Sequence, residues 1–415
     1  MTPGSSNRPK PRVLVVTSMF PRWDADSEPG FVFELSRRLT GRFDVRVVAP
    51  HAPGAATQET MGGVEVVRYR YMVEALECLA YDGGILPKLR KAPWKWLLVP
   101  LFLFAQYRAV RRQMRAWRPH ILHAHWILPQ GWIVRKAIGR RRDWKFVVTA
   151  HGTDVFGLNS SWMRKLKRNV LERADAVTIV GQAMRDAVIA LGARAPDVSV
   201  EPMGVDLSDR FTPDSSTQRS RDEVLFVGRL IDIKGVNHLL DAAPAILARR
   251  PTTRFTIAGF GPEEASLRRQ ANALGLGDRV TFAGPVAHAD LPRWYRRAAV
   301  FVAPFVQART GEQEGFGLVL VEALGCGCPV VASALPALRD LLADRAENLV
   351  EPGNVASLAD AVVRVLSDPQ AAAAGAEALR QRIVGRLDWA AVSARYAELI
   401  DSLAGEGQQA RISEQ

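Results

Sequence analysis

EGFGLVLVEALGCGCPVVAS, residues 314–333, contains the strongest indication of the fold. Its carboxylates Glu314 and Glu322 stand eight positions apart, and glycines between them lead into an apolar run with the length of a short helix. From Pro329 a β-branched run has the pattern of a buried strand. A glycine-rich loop that leads into a helix leaves backbone N–H groups unpaired at the positive end of the helix dipole, which suits a phosphate. The stretch therefore predicts an α/β sheet with a ligand beyond the carboxyl ends of its strands.

Glu322 lies about one turn into this predicted helix, among apolar neighbours. An ionised carboxylate in such surroundings is costly unless it is hydrogen-bonded. The two hydroxyls of a ribose would satisfy both of its oxygens. The alternative interpretation is an amphipathic helix that carries Glu322 on its exposed face.

The length and composition of the chain set the class of protein. With 415 residues it is long enough for two domains or more. Its three cysteines are too few for a disulfide framework and fit a reducing cytosol. The first ten residues lack the apolar core of a signal peptide, and no stretch has the length of a membrane span. We therefore expect a cytoplasmic protein.

The net charge of +12 is concentrated in one segment. Residues 83–142 contain 14 Lys and Arg and no Asp or Glu, whereas the rest of the chain is close to balance. Such a segment attracts phosphates, anionic lipid head groups or nucleic acid.

The most apolar stretch, WKWLLVPLFLFAQY at 94–107, lies inside this basic segment. It is too short to span a bilayer, and we expect it to lie in the membrane interface on the inner face of the cytoplasmic membrane. The alternative is a buried helix in the outer layer of the sheet. The side chains predicted to contact the membrane are Trp94, Trp96, Leu98, Phe102, Arg108, Arg111 and Arg112.

Alternating strand and helix patterns run through both halves of the chain and predict two parallel α/β domains. The predicted boundaries are a disordered tail 1–10, a first domain 11–207, a linker 208–222, a second domain 223–385, a C-terminal helix 386–404 and a disordered tail 405–415.

Individual motifs carry less weight than their combination. The Gly259–Gly261 turn follows a strand but lacks the third glycine of a dinucleotide fingerprint. Arg229 and Lys234 follow the first strand of the second domain, where they could hold a diphosphate or be solvated surface charges. His123 and His125 alternate on a strand without an evident third ligand, so that satisfied strand-end histidines are favoured over a metal site.

Four segments of the second half occur in a characteristic order: GRLIDIKG at 228–235, AGFGPE at 258–263, FAGPV at 282–286 and the stretch 314–333. Together they resemble the retaining glycosyltransferases of the GT-B fold, the group 1 or family-four class. The first half agrees, with HAHW at 123–126, AHGTD at 150–154 and PMGVD at 202–206. Two positions depart from the family: Gly30 is a single glycine where many members have two, and Met203 stands where Asn is usual.

This resemblance implies two Rossmann-like, doubly wound parallel-sheet domains that face a cleft, with the final helix returning to the first domain. It implies that Arg229 and Lys234 stabilise the departing diphosphate, that Glu322 binds the ribose, and that Glu314 contacts hydroxyls of the transferred sugar. His151 would reach the donor sugar and Asp154 would lie on the acceptor side. The remaining donor contacts implied are Gly30, Gly228, Gly261, Val286, Phe316, Gly317 and Leu318.

The activity implied is retaining transfer of a hexose from a nucleoside-diphosphate sugar to a lipid-linked or polysaccharide acceptor at the cytoplasmic membrane face. Two cations and a helix N-terminus can stabilise the leaving group electrostatically, so we expect no cofactor and no metal requirement. We also expect no nucleic-acid partner. The alternatives are a sugar-nucleotide epimerase on the same fold and a non-catalytic membrane or nucleic-acid binder that uses the basic segment.

Overall fold

The computed structural model describes residues 9–24, 26, 30–81, 85–140, 143–308, 311–342 and 346–413. The predicted disorder of residues 1–8 lies outside this range. The chain forms two compact units. The first consists of Met1–Ile179, Arg185–Glu201 and Ser393–Gln415, and the second of Val180–Met184 and Pro202–Val392.

The first unit is built on an eight-stranded sheet. Its strands are β1 (Arg12–Val16), β2 (Asp44–Pro50), β3 (Gln58–Met61), β4 (Val64–Tyr69), β5 (Ile121–His125), β6 (Lys145–Ala150), β7 (Ala176–Ile179) and β8 (Val198–Val200). They are ordered β3-β4-β2-β1-β5-β6-β7-β8, and only the β3–β4 pair is antiparallel. All residues of β5 are buried, as in parallel strands that helices cover on both faces.

Helices connect these parallel strands. They are α1 (Phe31–Leu39), α2 (Ile85–Lys91), α3 (Leu98–Trp117), α4 (Trp132–Ile138), α5 (Thr153–Phe156), α6 (Ser161–Leu171) and α7 (Arg185–Ala190). The polar sequence of β3 does not predict a strand. Its signal is the Gly62–Gly63 turn before β4, where both residues have positive φ as a tight hairpin requires.

The second unit has a six-stranded sheet in which every pair is parallel. Its strands are β9 (Glu223–Val227), β10 (Arg254–Ala258), β11 (Val280–Gly284), β12 (Val300–Ala303), β13 (Val330–Ser333) and β14 (Leu349–Val350). The order is β11-β10-β9-β12-β13-β14. Its helices are α8 (Val236–Arg249), α9 (Glu264–Ala273), α10 (Leu291–Arg297), α11 (Leu318–Gly325), α12 (Pro336–Leu342), α13 (Val355–Ser367) and α14 (Pro369–Leu387). The two parallel sheets confirm the predicted α/β class.

The segment 208–222, predicted as a linker, packs into the second unit, whose longer segment runs from Pro202 to Val392. Phe211 is 1% exposed. The guanidinium of Arg219 donates to the carbonyls of Tyr295 and Ala298. The polar composition of the segment gives no indication of these contacts of Phe211 and Arg219.

The last helix, α15 (Trp389–Ser413), begins in the second unit and belongs to the first from Ser393 onward. Within the first unit, its Tyr396 hydroxyl lies 3.3 Å from Oγ1 of Thr178 in β7. The helix continues to Ser413, so the predicted disorder from residue 405 is wrong for 405–413. Residues 414 and 415 lie outside the described range.

The apolar stretch 94–107 is divided between two environments. Leu98 and Phe102 are 5% and 2% exposed, and the Phe102 ring packs 5.1 Å from that of Tyr71, so the membrane contact predicted for these two residues is wrong. Trp94 and Trp96, in contrast, are more than half exposed. Among the described residues, no helix is both long and apolar enough to cross a bilayer.

Candidate active site

Loops at the carboxyl ends of β9, β10 and β12 approach one another backbone to backbone. A Cβ on Gly259 would lie 1.8 Å from the carbonyl oxygen of Gly228, and one on Gly235 would lie 1.9 Å from that of Pro304. Gly261 is similarly close to the backbone of Leu230. Only glycine allows such contacts. The predicted donor residues Gly228 and Gly261 therefore lie on neighbouring loops.

Lys234 and Glu314 form an ion pair beside these loops. Lys234 Nζ lies 2.6 Å from Glu314 Oε2 and 4.0 Å from the centre of the Phe305 ring. Glu314 Oε1 accepts from the backbone N–H groups of Phe316 and Gly317. Burial alone would raise the pKa of Glu314, but Lys234 and these N–H groups outweigh it and lower the pKa. The site thus holds an ionised carboxylate against a cation just before α11.

Glu322 is buried on α11, at 6% exposure, which excludes the interpretation that it lies on a wet helix face. The Tyr295 hydroxyl donates to Glu322 Oε2 at 3.0 Å, and His288 Nε2 lies 3.0 Å from Oε1. Burial and the neighbouring carboxylate raise the pKa of Tyr295 well above its ordinary value, so its hydroxyl stays a donor. Both carboxylate oxygens are therefore hydrogen-bonded.

The other predicted donor residues of the second unit follow its strands or stand at the start of α11. Arg229 is exposed on the loop after β9, and Val286 is half-buried on the loop after β11. Phe316 is 4% exposed, and Gly317 begins α11 with a φ of 90°. Leu318 is the first residue of α11.

In the first unit, His151 follows β6 directly and contacts a second histidine. His151 Nε2 lies 3.1 Å from His125 Nδ1, and its ring lies 4.6 Å from that of Trp126. Burial lowers the pKa of His151 to about 3 and that of His123 to about 4, and it lowers the pKa of His125 well below its ordinary value. His151 is therefore a neutral hydrogen-bonding group at physiological pH.

Asp154 follows His151 by three residues and is 4% exposed. Its two oxygens accept from the backbone N–H groups of Ile127 and His151, at 2.8 and 2.9 Å. Burial raises the pKa of Asp154, and these N–H groups and Lys167 partly offset the rise. These two bonds hold the loop that carries His151. The place of Asp154 on the acceptor side stays a prediction.

Gly30 precedes α1, and a side chain there would meet nothing within 4 Å. The next residue, Phe31, places its ring 5.1 Å from that of His151. The first unit therefore brings Gly30 and His151 close together. In the described part of the chain, no group of three or more His, Cys, Asp or Glu side chains is arranged to hold a metal ion.

Sequence reasoning missed four residues of these clusters: His125, Lys167, His288 and Tyr295. The alternation of His123 and His125 on a strand indicated a hydrogen-bonded histidine at the strand end. It did not indicate that the partner of His125 is His151. Neither His288 nor Tyr295 belongs to a motif. Lys167 lies in a basic sequence cluster, 164–168, yet its side chain is fully buried.

Two family models match the chain. The model described as glycosyl transferases group 1 matches residues 221–368, and the one described as glycosyltransferase family 4 matches residues 31–209.

Individual proteins give a consistent result. The chain is 31% identical over 296 residues to a glycogen synthase of Mycobacterium tuberculosis, with 69% of each chain covered. It is 32% identical over 283 residues to a GDP-mannose-dependent alpha-(1-6)-phosphatidylinositol monomannoside mannosyltransferase of Mycolicibacterium smegmatis, covering 65% of this chain and 72% of that protein. A sucrose-phosphate synthase structure from Thermosynechococcus elongatus superimposes with a TM-score of 0.76 at 23% identity, over 96% of this chain and 100% of the other. This likeness confirms the predicted GT-B fold.

Proposed function

The chain belongs to the group 1 glycosyltransferases, and from this premise we propose that it transfers a hexose, with retention, from a nucleoside-diphosphate sugar to a lipid-linked or polysaccharide acceptor. The observation that carries the proposal is the cluster of Lys234, Glu314 and Glu322 around the start of α11. A cation, a helix N-terminus and a buried carboxylate together match a sugar diphosphate attached to a ribose.

The proposed chemistry is electrostatic. Breaking the bond between the sugar and the diphosphate develops negative charge on the leaving oxygen. Lys234 and Arg229, at the carboxyl end of β9, would stabilise this charge, and the preorganised N–H groups at α11 would add to the effect. Glu314, now paired with Lys234, would turn to hydroxyls of the sugar when the diphosphate takes the cation. The neutral imidazole of His151 would hydrogen-bond the sugar without adding charge.

The acceptor and the place of action are proposed from a surface of the first unit. Its exposed apolar side chains lie beside exposed cations of α3, Arg108 and Arg112, as on proteins that lie in an anionic membrane interface. The exposed apolar residues are Trp94, Trp96, Leu97, Leu101 and Phe104, and we name them the α3 patch. Arg111 donates instead to the carbonyl of Ala137. The M. smegmatis relative is named for a phosphatidylinositol acceptor, which supports a membrane-bound acceptor here.

The test is release of nucleoside diphosphate from UDP-glucose or GDP-mannose, measured with and without a membrane lipid fraction as acceptor. Wild type should release UDP or GDP faster with the acceptor. Lys234→Ala and Glu322→Ala should each reduce the rate by about 100-fold or more, because each removes a group held in place before the reaction.

Lys10→Ala and Glu377→Ala remove charges of the same types at other surfaces and should leave the rate unchanged. Full activity of Lys234→Ala would reject its assigned role. Isomerised sugar nucleotide without transfer would favour an epimerase over this proposal.

A further inference from the structure

Three side chains of the second unit form a hydrogen-bonded chain that ends on Glu322. Arg210 Nη1 lies 3.2 Å from His288 Nδ1, and His288 Nε2 lies 3.0 Å from Glu322 Oε1. A guanidinium can only donate, so Nδ1 of His288 is the acceptor. The neutral ring therefore carries its hydrogen on Nε2 and donates it to Glu322.

The two donors to Glu322 differ sharply in burial. Tyr295 is 0% exposed and its ring packs 5.6 Å from that of Phe301. The side chain of His288 is 55% exposed, on the loop between β11 and α10. A rotation of His288 into water gives up its contacts with Arg210 and with the Phe211 ring 5.2 Å away but opens no core packing, whereas a movement of Tyr295 would open the core. A ligand that competes for Glu322 therefore displaces His288 and leaves Tyr295 in place.

We propose that His288 is a latch on Glu322 that the ribose of the donor displaces, so that His288 sets the affinity for the nucleotide. This inference rests on the proposed function, in which Glu322 binds the ribose. On binding, Oε1 exchanges the N–H of His288 for a ribose O–H, and Oε2 keeps its bond from Tyr295. The number of hydrogen bonds to Oε1 does not change. The free energy gained from the ribose contact with Oε1 is therefore reduced by that of the His288 bond which it replaces.

The experiment compares dissociation constants of UDP and GDP by titration calorimetry. His288→Ala should bind whichever nucleotide wild type binds about 3- to 10-fold more tightly, since the competing bond to a charged group is gone. His288→Gln, whose amide can still donate to Glu322, should stay close to wild type. Asp290→Asn, an exposed change on the same loop, should have no effect.

The 2′,3′-dideoxy nucleotides identify the cause. They lack the ribose hydroxyls that would displace His288 from Glu322. His288→Ala should therefore bind them no more tightly than wild type does. An unchanged or weaker affinity of His288→Ala for the ribonucleotide, or an equal gain for the dideoxy form, would overturn the latch alone. Failure of wild type to bind either nucleotide, or full binding by Glu322→Gln, would overturn the proposed donor site and the latch with it.

Discussion

Lys167 is a cation inside the first unit that supports the His151 loop. Its ammonium group donates to the carbonyls of Val155 in α5 and Gly157 directly after α5. Burial lowers the pKa of Lys167 to about 8, although Asp154 opposes the shift. Asp154 and Lys167 thus hold the loop from two sides, and the lysine does so at a cost in stability.

That cost should depend on pH. The pKa of Lys167 is 10.5 in a model compound and about 8 when folded, so between these values the unfolded chain binds more protons and the free energy of unfolding rises with pH. Relative to Lys167→Met, wild type should gain about 2–3 kcal/mol from about pH 8 to about pH 10. Urea unfolding at each pH measures the difference. Curves for wild type and Lys167→Met that stay parallel across this pH range would disprove the shifted pKa.

At the scale of the element, α3 has one buried and one exposed apolar face. Phe102 belongs to the core, whereas Phe104, two residues later, is 58% exposed. The exposed Arg108 guanidinium lies 5.8 Å from the Phe104 ring. A helix that is apolar on opposite faces can pack against the sheet with one face and bind a membrane surface with the other.

We predict that the α3 patch binds anionic vesicles. The double variant Trp96→Ser and Phe104→Ser should move the protein from vesicles of equal phosphatidylcholine and phosphatidylglycerol into solution in a sedimentation assay, with little change in Tm. Phe102→Ser should instead destabilise the fold by about 3–5 kcal/mol, as for loss of a buried aromatic side chain.

Leu274→Ser, a change at an exposed apolar residue of the second unit, is the control and should keep vesicle binding. Retained binding by the double variant would show that the patch is not the membrane contact.

At the scale of the whole molecule, the chain returns to its first unit at the end. Tyr396, Ile400 and Leu403 of α15 are 3%, 1% and 6% exposed, and they lie in the part of α15 that belongs to the first unit. Burial of apolar area stabilises by about 25 cal/mol per Å². The first unit therefore depends on residues close to the C-terminus for a complete core.

Ending the chain at Val392 should destabilise the first unit selectively. Hydrogen exchange should become faster in β5–β7, while the amides of β9–β13 keep their protection, because the second unit retains its own elements. Tyr396→Phe, which loses only the hydroxyl contacts with Thr149 and Thr178, is the milder comparison and should change exchange slightly. Uniform loss of protection in both units would contradict this division.

The sequence by itself determined the fold class, the family and the order of the site segments. Strand periodicity is local, and glycines stand where one backbone must approach another, as Gly259 does at Gly228. The charge of the segment 83–142 is equally plain in the sequence. The periodicity and the charge depend on neighbours within a few residues, and a glycine marks a close approach through its own missing Cβ.

The tertiary structure alone decided which side chains meet. Lys234 and Glu314 are 80 residues apart, and His288 and Glu322 are 34 apart, with no periodic pattern between them. It also decided that Leu98 and Phe102 face the core, that Lys167 is buried, and that Asp154 binds backbone groups. Each outcome depends on which distant element packs against the residue, and a local pattern contains no information on that choice.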